Sequence, residues 1–498
     1  MFTLLSFTAP AGAAAIQAEA AQAGAPFLFP LADGGRQARL ALELLGSAER
    51  HGLDPERYGY SELVRRLGAA RDAGATAALE RDLGQAMQRY LTELHAGRTV
   101  SAYRAAGNPA GFDPAARLAQ ALREGRLAQA VDEAAPAIPL YRRVMASLAQ
   151  YRELARRQQA WPPLPAAARG MKAGDPYAGA AALRARLQLL GDLEGPAGGD
   201  GGDGRYTAEL AAGVRRFQAR HGLAEDGVLG ARTLAALAIP PAHRAAQLAL
   251  TLERLRWLPP LPRGRTIAVN LPTYRLWAFD SSDTVAPARL EMRIIVGTAA
   301  RTPTPLFIGQ MRYLELNPYW NVPRSIAVGE ILPKLARNGA YLREHDMELV
   351  AADGRVLADD ATGLAALRDG AARVRQRPGK QNALGALKFA MPNPMNIYLH
   401  STSATELFDR TRRDLSHGCI RVEQPVALAE FVLANPQSWN TAAIEAAIGS
   451  GRTRTVTLPA AVPVVLFYAT AVTERDGRTL FAEDIYGRDA ALIEALGY

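Results

Sequence analysis

Ile397-Tyr398-Leu399-His400-Ser401-Thr402 and, after a turn, Ser416-His417-Gly418-Cys419-Ile420-Arg421-Val422 are the two strings that decide how this sequence is read. Cys419 is the only cysteine in 498 residues, and two of the seven histidines, His400 and His417, lie within 19 residues of it. A lone cysteine closes no internal disulfide, so in an oxidising compartment it is a hazard unless its chemistry is used. An unperturbed thiol, with a pKa of roughly 8.5, is only a few per cent thiolate near neutral pH, and a neighbouring imidazole lowers that pKa. The strings therefore point to a nucleophile, Cys419, with a histidine partner. Gly418 permits a close backbone approach, and consecutive N–H groups there would form an oxyanion hole, typically worth about 3 kcal/mol per donor. Arg421 adds charge for an anionic substrate group or for fixing the loop. Two bland readings compete. A metal site made of His400, His417 and Cys419 wants a further ligand, and the sequence offers no second cysteine and no His-x-x-x-His helix. A cysteine simply buried beside core histidines stays open on these residues alone.

Around these strings the apolar period is short. Thr266 to Asn270, Arg275 to Phe279, Glu291 to Val296 and Met311 to Leu316 read as strands between Pro, Asp and Gly turns. Further strand patterns lie at Leu387 to Ala390, Asn396 to His400, Thr455 to Leu458, Val462 to Ala471 and Leu480 to Ala482. This predicts a mainly-β domain over 250–498. Between Pro323 and Leu387 the rhythm breaks into a helical, charged segment (Ile331 to Leu335, then Ala361 to Arg375), long for a connection within a β domain. An insertion of about 324–386 is a lid candidate.

Upstream the period lengthens. Leu40, Leu42, Leu44 and Leu45, then Leu83, Met87, Tyr90, Leu91 and Leu94, recur at helical spacing and predict a helical domain over 31–165. His51 and His95 lie in it without a second ligand type and read as surface or capping residues. Trp161-Pro162-Pro163-Leu164-Pro165 ends the pattern as a linker. Residues 1–30 hold a short apolar stretch and an Ala-rich segment that read as the remnant of an export signal or anchor, without a positive n-region. Nowhere is there a run of about 18 apolar residues.

Composition bounds the rest. Hydrophobic residues make up 49% and charged residues 21%, with 44 Gly and 32 Pro, which excludes disordered, collagen-like and coiled-coil proteins. About three domains are expected at this length. Lys and Arg number 58 against 49 Asp and Glu, but only four are Lys, and Arg is spread along the chain rather than clustered. The +9 charge reads as solvated surface with some attraction to an anionic polymer, not as a nucleic-acid face.

Residues 173–240 run helix, Gly191-Asp192-Leu193, a loop from Gly195 to Gly204 with six Gly and two Asp, then Val214, Phe217-Gln218, Gly222-Leu223, Asp226-Gly227 and Gly230-x-x-Thr233-Leu234. This order resembles the three-helix peptidoglycan-binding domain, whose pattern falls here on Phe217, Gln218, Asp226 and Gly227. The resemblance implies a tether to glycan or stem peptide.

The two strings quoted first resemble the active-site signature of the YkuD-type L,D-transpeptidases, a His followed by Ser-x-Gly-Cys-x-Arg. The spacing from His400 to Cys419 is closest to the large, YcbB-like periplasmic members. Asn317 to Pro323, Gly385 to Phe389 and Asp484 to Asp489 fit the same subfamily. The fold implied is multi-domain α+β: a helical N-terminal scaffold, a three-helix peptidoglycan-binding domain, and a mainly-β catalytic domain with an inserted helical lid. The roles implied are Cys419 as nucleophile, His400 as general base and the Ser401 carbonyl as its orienter. Tyr398 and the N–H groups of Gly418 and Cys419 become oxyanion candidates. His417, Arg421, Ser416 and Trp320 become substrate-side residues, with Trp320 walling the donor groove. The activity implied is formation of 3-3 cross-links between stem peptides, through a cysteinyl acyl-enzyme and release of D-Ala, in the periplasm. Neither cofactor nor metal is implied. Carbapenem acylation follows from the resemblance, as do peptidoglycan stem peptides and other cell-wall synthesis proteins as partners. Subfamily members are anchored by an N-terminal membrane helix, of which this chain shows at most a remnant. The same acyl-enzyme passed to water or to a lipoprotein Lys would give a carboxypeptidase or an anchoring enzyme. A non-catalytic wall-binding scaffold is the reading from another class.

Overall fold

A computed structural model describes residues 29, 31, 35–69, 72–99, 103, 111–157, 161–166, 170–195, 204–260, 264–280 and 288–497. Residues 1–30, expected to be an export remnant, lie outside the described residues but for residue 29, as does most of the Gly-rich loop. Helices α1 (Arg36–Gly46), α2 (Tyr60–Ala69), α3 (Ala73–Ala96), α4 (Pro114–Glu124) and α5 (Leu127–Ala134) form the N-terminal core. The residues that set the helical period, Leu42, Leu45, Leu83, Met87, Tyr90, Leu91 and Leu94, are buried together. Asp72 and Asp113 accept from the first-turn N–H groups of α3 and α4, so each start is fixed by a side-chain cap. His51 departs from its surface assignment. It is buried, with Nδ1 3.1 Å from the Tyr141 hydroxyl, a partner 90 residues away that no local pattern could reveal.

Helix α6 (Pro139–Arg157), which the sequence groups with the scaffold, packs instead against the later helix α10 (Pro241–Arg256), in a core that includes Ala471 and Phe481. Between them, α7 (Ala180–Leu189), α8 (Ala208–Ala219) and α9 (Ala231–Ala238) form the expected three-helix unit around Leu183, Leu187, Leu210, Val214 and Phe217. The Pro-rich linker is docked on this unit. Trp161 donates its indole N–H to the Leu237 carbonyl at 3.0 Å, and the Arg186 guanidinium lies 4.4 Å from the Trp161 ring centroid.

The C-terminal region is built on a nine-stranded sheet of order β11-β3-β12-β10-β9-β4-β13-β1-β2, closed on itself by pairing of β2 with β3. The strands are β1 (Thr266–Asn270), β2 (Arg275–Phe279), β3 (Leu290–Gly297), β4 (Phe307–Leu316), β9 (Leu387–Ala390), β10 (Leu399–His400), β11 (Asp414–Ser416), β12 (Ile420–Val422) and β13 (Arg454–Phe467). Closure buries Val269, Leu276, Ile294, Leu314, Phe389, Leu399, Ile420 and Leu466 at its centre. The strands expected at Thr455 to Leu458 and from Val462 are one strand, β13. Its register against β4 shifts between Thr457 and Val462, where Pro459 removes a donor and a bulge takes up the slack.

The insertion after β4 carries more than helices. β5 (Trp320–Asn321), β6 (Met347–Ala351), β7 (Val356–Leu357) and β8 (Ala372–Gln376) make a four-stranded sheet of order β5-β8-β6-β7, with a core of its own around Val322, Ile331, Leu335, Leu349, Leu367 and Val374. The helical stretch expected from Ala361 to Arg375 ends at Asp369, because Gly370 adopts a left-handed φ of 83° and turns the chain into β8.

Candidate active site

Strand pairing gathers the chemistry. β10 runs parallel to β12, with Leu399 opposite Ile420 and His400 opposite Arg421. Leu399 and Ile420 point into the core, so alternation turns His400 and Arg421 to the other face. Cys419, just before β12, packs against the edge of that core and is hydrogen-bonded by Tyr398. The Tyr398 and His400 rings meet edge to face, with centroids 5.8 Å apart.

His400 is 5% exposed, and its Nδ1 lies 2.6 Å from the Ser401 carbonyl oxygen. A carbonyl only accepts, so Nδ1 carries the proton and Nε2 keeps its lone pair. Ser401 is held in turn. Its Oγ donates to the Leu384 carbonyl at 3.0 Å and accepts from the Leu387 N–H at 2.9 Å. Gly385 makes room for this. Its φ is +63°, and a Cβ there would sit 2.4 Å from Ser401 Oγ. Burial first, then the Arg421 charge, lower the His400 pKa to about 3.

The loop bearing the thiol is braced from below. Ser416 Oγ donates to the Cys419 carbonyl at 2.6 Å and accepts from the Gly418 N–H at 3.1 Å. Thr304 Oγ1 donates to the Gly418 carbonyl at 2.8 Å and accepts from the Gly297 N–H at 2.9 Å. The Tyr486 hydroxyl donates to the Gly297 carbonyl at 2.6 Å and accepts from the Thr304 N–H at 3.2 Å. A Cβ on Gly297 would lie 1.9 Å from the Thr302 carbonyl oxygen and 2.9 Å from Gly418 Cα, so only glycine lets β3 pass under the loop.

This bracing corrects two expectations. The Gly418 N–H is spent on Ser416 and is not an oxyanion donor in this arrangement. Ser416 is buried with both functions of its hydroxyl used internally, so it fixes the loop rather than facing substrate. Of the other predicted oxyanion donors, the Tyr398 hydroxyl is hydrogen-bonded to the Cys419 thiol.

The thiol also differs from expectation. Cys419 is half-buried, with Sγ 3.5 Å from the Asn396 carbonyl oxygen. Burial pushes its pKa up, against the opposing pull of the Tyr398 backbone N–H and hydroxyl and of the Lys388 and Arg421 charges. The predicted imidazole-lowered thiolate is absent, because His400 is neutral and supplies no charge. A protonated thiol and a neutral imidazole do not make a resting ion pair.

Trp320 lies at the base of the insertion, half-buried against its core, and its indole donates to the Tyr398 hydroxyl. It thus joins Tyr398 to the insertion. His417 is exposed, and its Nε2 lies 2.7 Å from Glu330 Oε1 of the insertion. Arg421 Nε is buried with no hydrogen-bond partner, leaving the guanidinium to Cys419 and Glu406 as electrostatic neighbours. Thr304, Tyr486, Gly385 and Glu330 escaped the sequence reading as site residues. Tyr486 and Gly385 stood inside quoted subfamily strings, but nothing local says what they touch.

In the three-helix unit, Phe217 is core and Gln218 is 2% exposed. Gln218 Nε2 donates to Asp226 Oδ1 (3.0 Å), the Val228 carbonyl (3.0 Å) and Thr233 Oγ1 (3.1 Å), while its Oε1 accepts from the Gly227 N–H (2.9 Å). These contacts tie the motif residues into the fold, with Asp226 itself exposed. Among the described residues no group of three or more His, Cys, Asp or Glu side chains is placed to hold a metal ion.

The site thus holds a buried neutral histidine and the only cysteine on neighbouring strings of a closed sheet, beside an inserted subdomain. Residues 264–459 match the YkuD family model, the L,D-transpeptidase catalytic domain; residues 26–148 match the scaffold domain, and residues 178–237 the "Putative peptidoglycan binding domain". The chain therefore carries an L,D-transpeptidase catalytic domain of YkuD type together with a scaffold and a peptidoglycan-binding domain, an architecture consistent with the YcbB-like subfamily. A Haemophilus influenzae protein named "Putative L,D-transpeptidase" is 34% identical over 49% of this chain and 48% of its own length. The chain thus spans about half the length of the curated relative it matches. Solved structures that match include an L,D-transpeptidase from Xylanimonas cellulosilytica (17% identity, 61% of this chain and 100% of that one, TM-score 0.18). Another is a fused zinc-dependent amidase/peptidase with a peptidoglycan-binding domain from Clostridium acetobutylicum (14% identity, 60% of this chain and 99% of that one, TM-score 0.18). At these TM-scores neither carries an argument.

Proposed function

We propose that this protein is a peptidoglycan L,D-transpeptidase acting outside the cytoplasm by ping-pong acyl transfer. His400 Nε2 takes the Cys419 proton as sulfur attacks the carbonyl of the third residue, diaminopimelate, of a donor tetrapeptide stem. The oxyanion is held by the Cys419 N–H and the Tyr398 hydroxyl, with the Trp320 indole fixing Tyr398. The protonated imidazole passes its proton to the leaving D-Ala nitrogen. The side-chain amine of a second stem then attacks the thioester, again losing a proton to His400, and a 3-3 cross-link forms while the thiol is restored. Arg421, unpaired at the edge of the site, suits a substrate carboxylate.

The observation that supports this reading is the 2.6 Å contact of His400 Nδ1 with the Ser401 carbonyl, which gives Nε2 the lone pair a base needs, on a strand paired with the one that follows Cys419. The test is intact-protein mass after incubation with a carbapenem. Wild type gains one drug-sized adduct, Cys419→Ala gains none, and His400→Ala gains it slowly. No adduct on folded wild type overturns the catalytic reading and favours a wall-binding scaffold. Muropeptide analysis separates acceptors: 3-3 dimers mark a stem amine, shortened stems mark water, and a lipoprotein-linked stem marks a lipoprotein Lys.

A further inference from the structure

A second concavity, away from the thiol, lies between the three-helix unit and the catalytic sheet. It has a volume of about 390 Å³ and is lined from both sides, by the turn after α8 and by residues 272–275, 409–413, 480–483 and 485. The walls are fixed to one another. The Phe481 N–H donates to the Arg220 carbonyl at 2.7 Å, and the Phe481 ring stacks on His221 with centroids 5.4 Å apart. Arg232 of α9 donates to Glu483 at 2.9 Å across the mouth.

The lining is rich in arginine, and its charges do not balance. Arg232 closes on Glu483, Arg275 on Glu474 (3.3 Å), Arg293 on Asp409 (3.0 Å) and Arg412 on Asp414 (2.7 Å). Arg410 and Arg413 close on no carboxylate among the described residues. Arg410 is exposed and its guanidinium has no hydrogen-bond partner there. Arg413 is half-buried and spends its donors on neutral carbonyls: Ile294 at 3.2 Å, Arg410 at 2.6 Å and Tyr274 at 3.4 Å. Burial, then the neighbouring Arg293, with Arg275 adding to it, lower its pKa to about 10. Glu423 opposes this shift electrostatically but forms no ion pair with Arg413, so the lining keeps arginines that no carboxylate among the described residues closes. An arginine-rich lining of this kind suits an anion from outside.

We propose that this interdomain cleft binds a peptide bearing two or more free carboxylates, with Arg410 and Arg413 as its anchors. If the reading under Proposed function holds, that peptide is a stem of the wall polymer. Arg413 precedes Cys419 by six residues, no more than about 20 Å of extended chain, so a stem held here keeps its strand within reach of the thiol. The three-helix unit then contributes one wall of a joint site with the catalytic domain, rather than a ligand pocket of its own.

The experiment is calorimetric titration of the full chain, Cys419 capped with iodoacetamide, with a purified disaccharide-tetrapeptide. Arg410→Glu is expected to weaken binding at least tenfold and Arg410→Lys less than threefold. Arg123→Glu on the scaffold, the same change in net charge at a distant exposed site, is expected to leave it unchanged. Amidating the peptide carboxylates should abolish binding, and inorganic phosphate at the same concentration should not compete. Wild-type affinity in Arg410→Glu, or equal binding of the amidated peptide, overturns the proposal. Equal competition by phosphate also overturns it and assigns the cleft to a phosphate polymer. Carbapenem labelling of uncapped wild type reports separately on the catalytic reading: an adduct with no cleft binding sinks only this inference, and cleft binding with no adduct sinks only that one.

Discussion

At the scale of single residues, His400 and Cys419 make opposite predictions from the usual cysteine–histidine ion pair. The His400 pKa is lowered to about 3 and that of Cys419 is raised, so both are neutral at pH 7. Protonation of His400 then removes no base between pH 7 and 5, and thiolate grows only as pH passes the ordinary thiol value. The rate of iodoacetamide alkylation of Cys419 should climb steadily beyond about pH 8.5, with no plateau near neutrality. A plateau below pH 7 would mean a resting thiolate–imidazolium pair. Gly385 offers a second check on the same machinery. Alanine there must adopt a φ of +63° and place its Cβ 2.4 Å from Ser401 Oγ, shifting the carbonyl that orients His400. Gly385→Ala should slow carbapenem acylation tenfold or more, at a cost of about 1–2 kcal/mol in stability. Acylation at the wild-type rate would show that Ser401 does not set the base. That the strings carrying His400 and Cys419 belong together was legible in their residue types, and their strands, β10 and β12, do pair. The work of Ser416 and Gly385 was not, because it depends on backbone groups brought in from other strands.

At the scale of elements, the insertion is a small subdomain with its own sheet and core, linked to the thiol loop by His417 and Glu330. Their contact is 2.7 Å, but both side chains are close to half exposed, so it is worth no more than about 1 kcal/mol. Glu330→Gln should therefore leave thermal stability unchanged while raising hydrogen exchange over residues 324–386 by at most about fivefold, a factor that follows from that energy. Exchange unchanged over the insertion would remove His417 as a latch and leave it as a surface residue. The sequence revealed the insertion through a broken strand rhythm, but not its sheet. Ala372–Gln376 continues a helical composition, and only Gly370 in a left-handed conformation marks the stop.

At the scale of the whole molecule, Phe481 is where three parts meet. Its ring stacks on His221 of the three-helix unit, meets Tyr151 of α6 edge to face at 5.2 Å, and lies 4.7 Å from the Arg244 guanidinium of α10. Local periodicity marked a strand there but could not say that α6 and α10, nearly a hundred residues apart, would share a core with it. The same region contributes, with His400, to the acid sensitivity of the fold. His51 and His221 are both buried neutral, burial being the main cause of their lowered pKa values, about 3 for His51. In the unfolded chain each titrates near 6.5, so the unfolded state binds more protons below that pH. The stability they contribute is complete above pH 6.5 and is lost as pH falls from there towards about 3. His221 sits between Phe217 and Phe481, so its protonation puts a charge into the contact that joins the modules. Thermal denaturation should show a melting temperature falling from pH 6.5 to 4. His221→Gln, which cannot titrate, should flatten that slope. Phe481→Ala should cost about 3–5 kcal/mol and split the transition in two, because the three-helix unit loses its main apolar contact with the catalytic domain. A single transition at the wild-type temperature would show instead that the Arg232–Glu483 pair and the buried Arg220–Asp192–Tyr151 network hold the modules together without it.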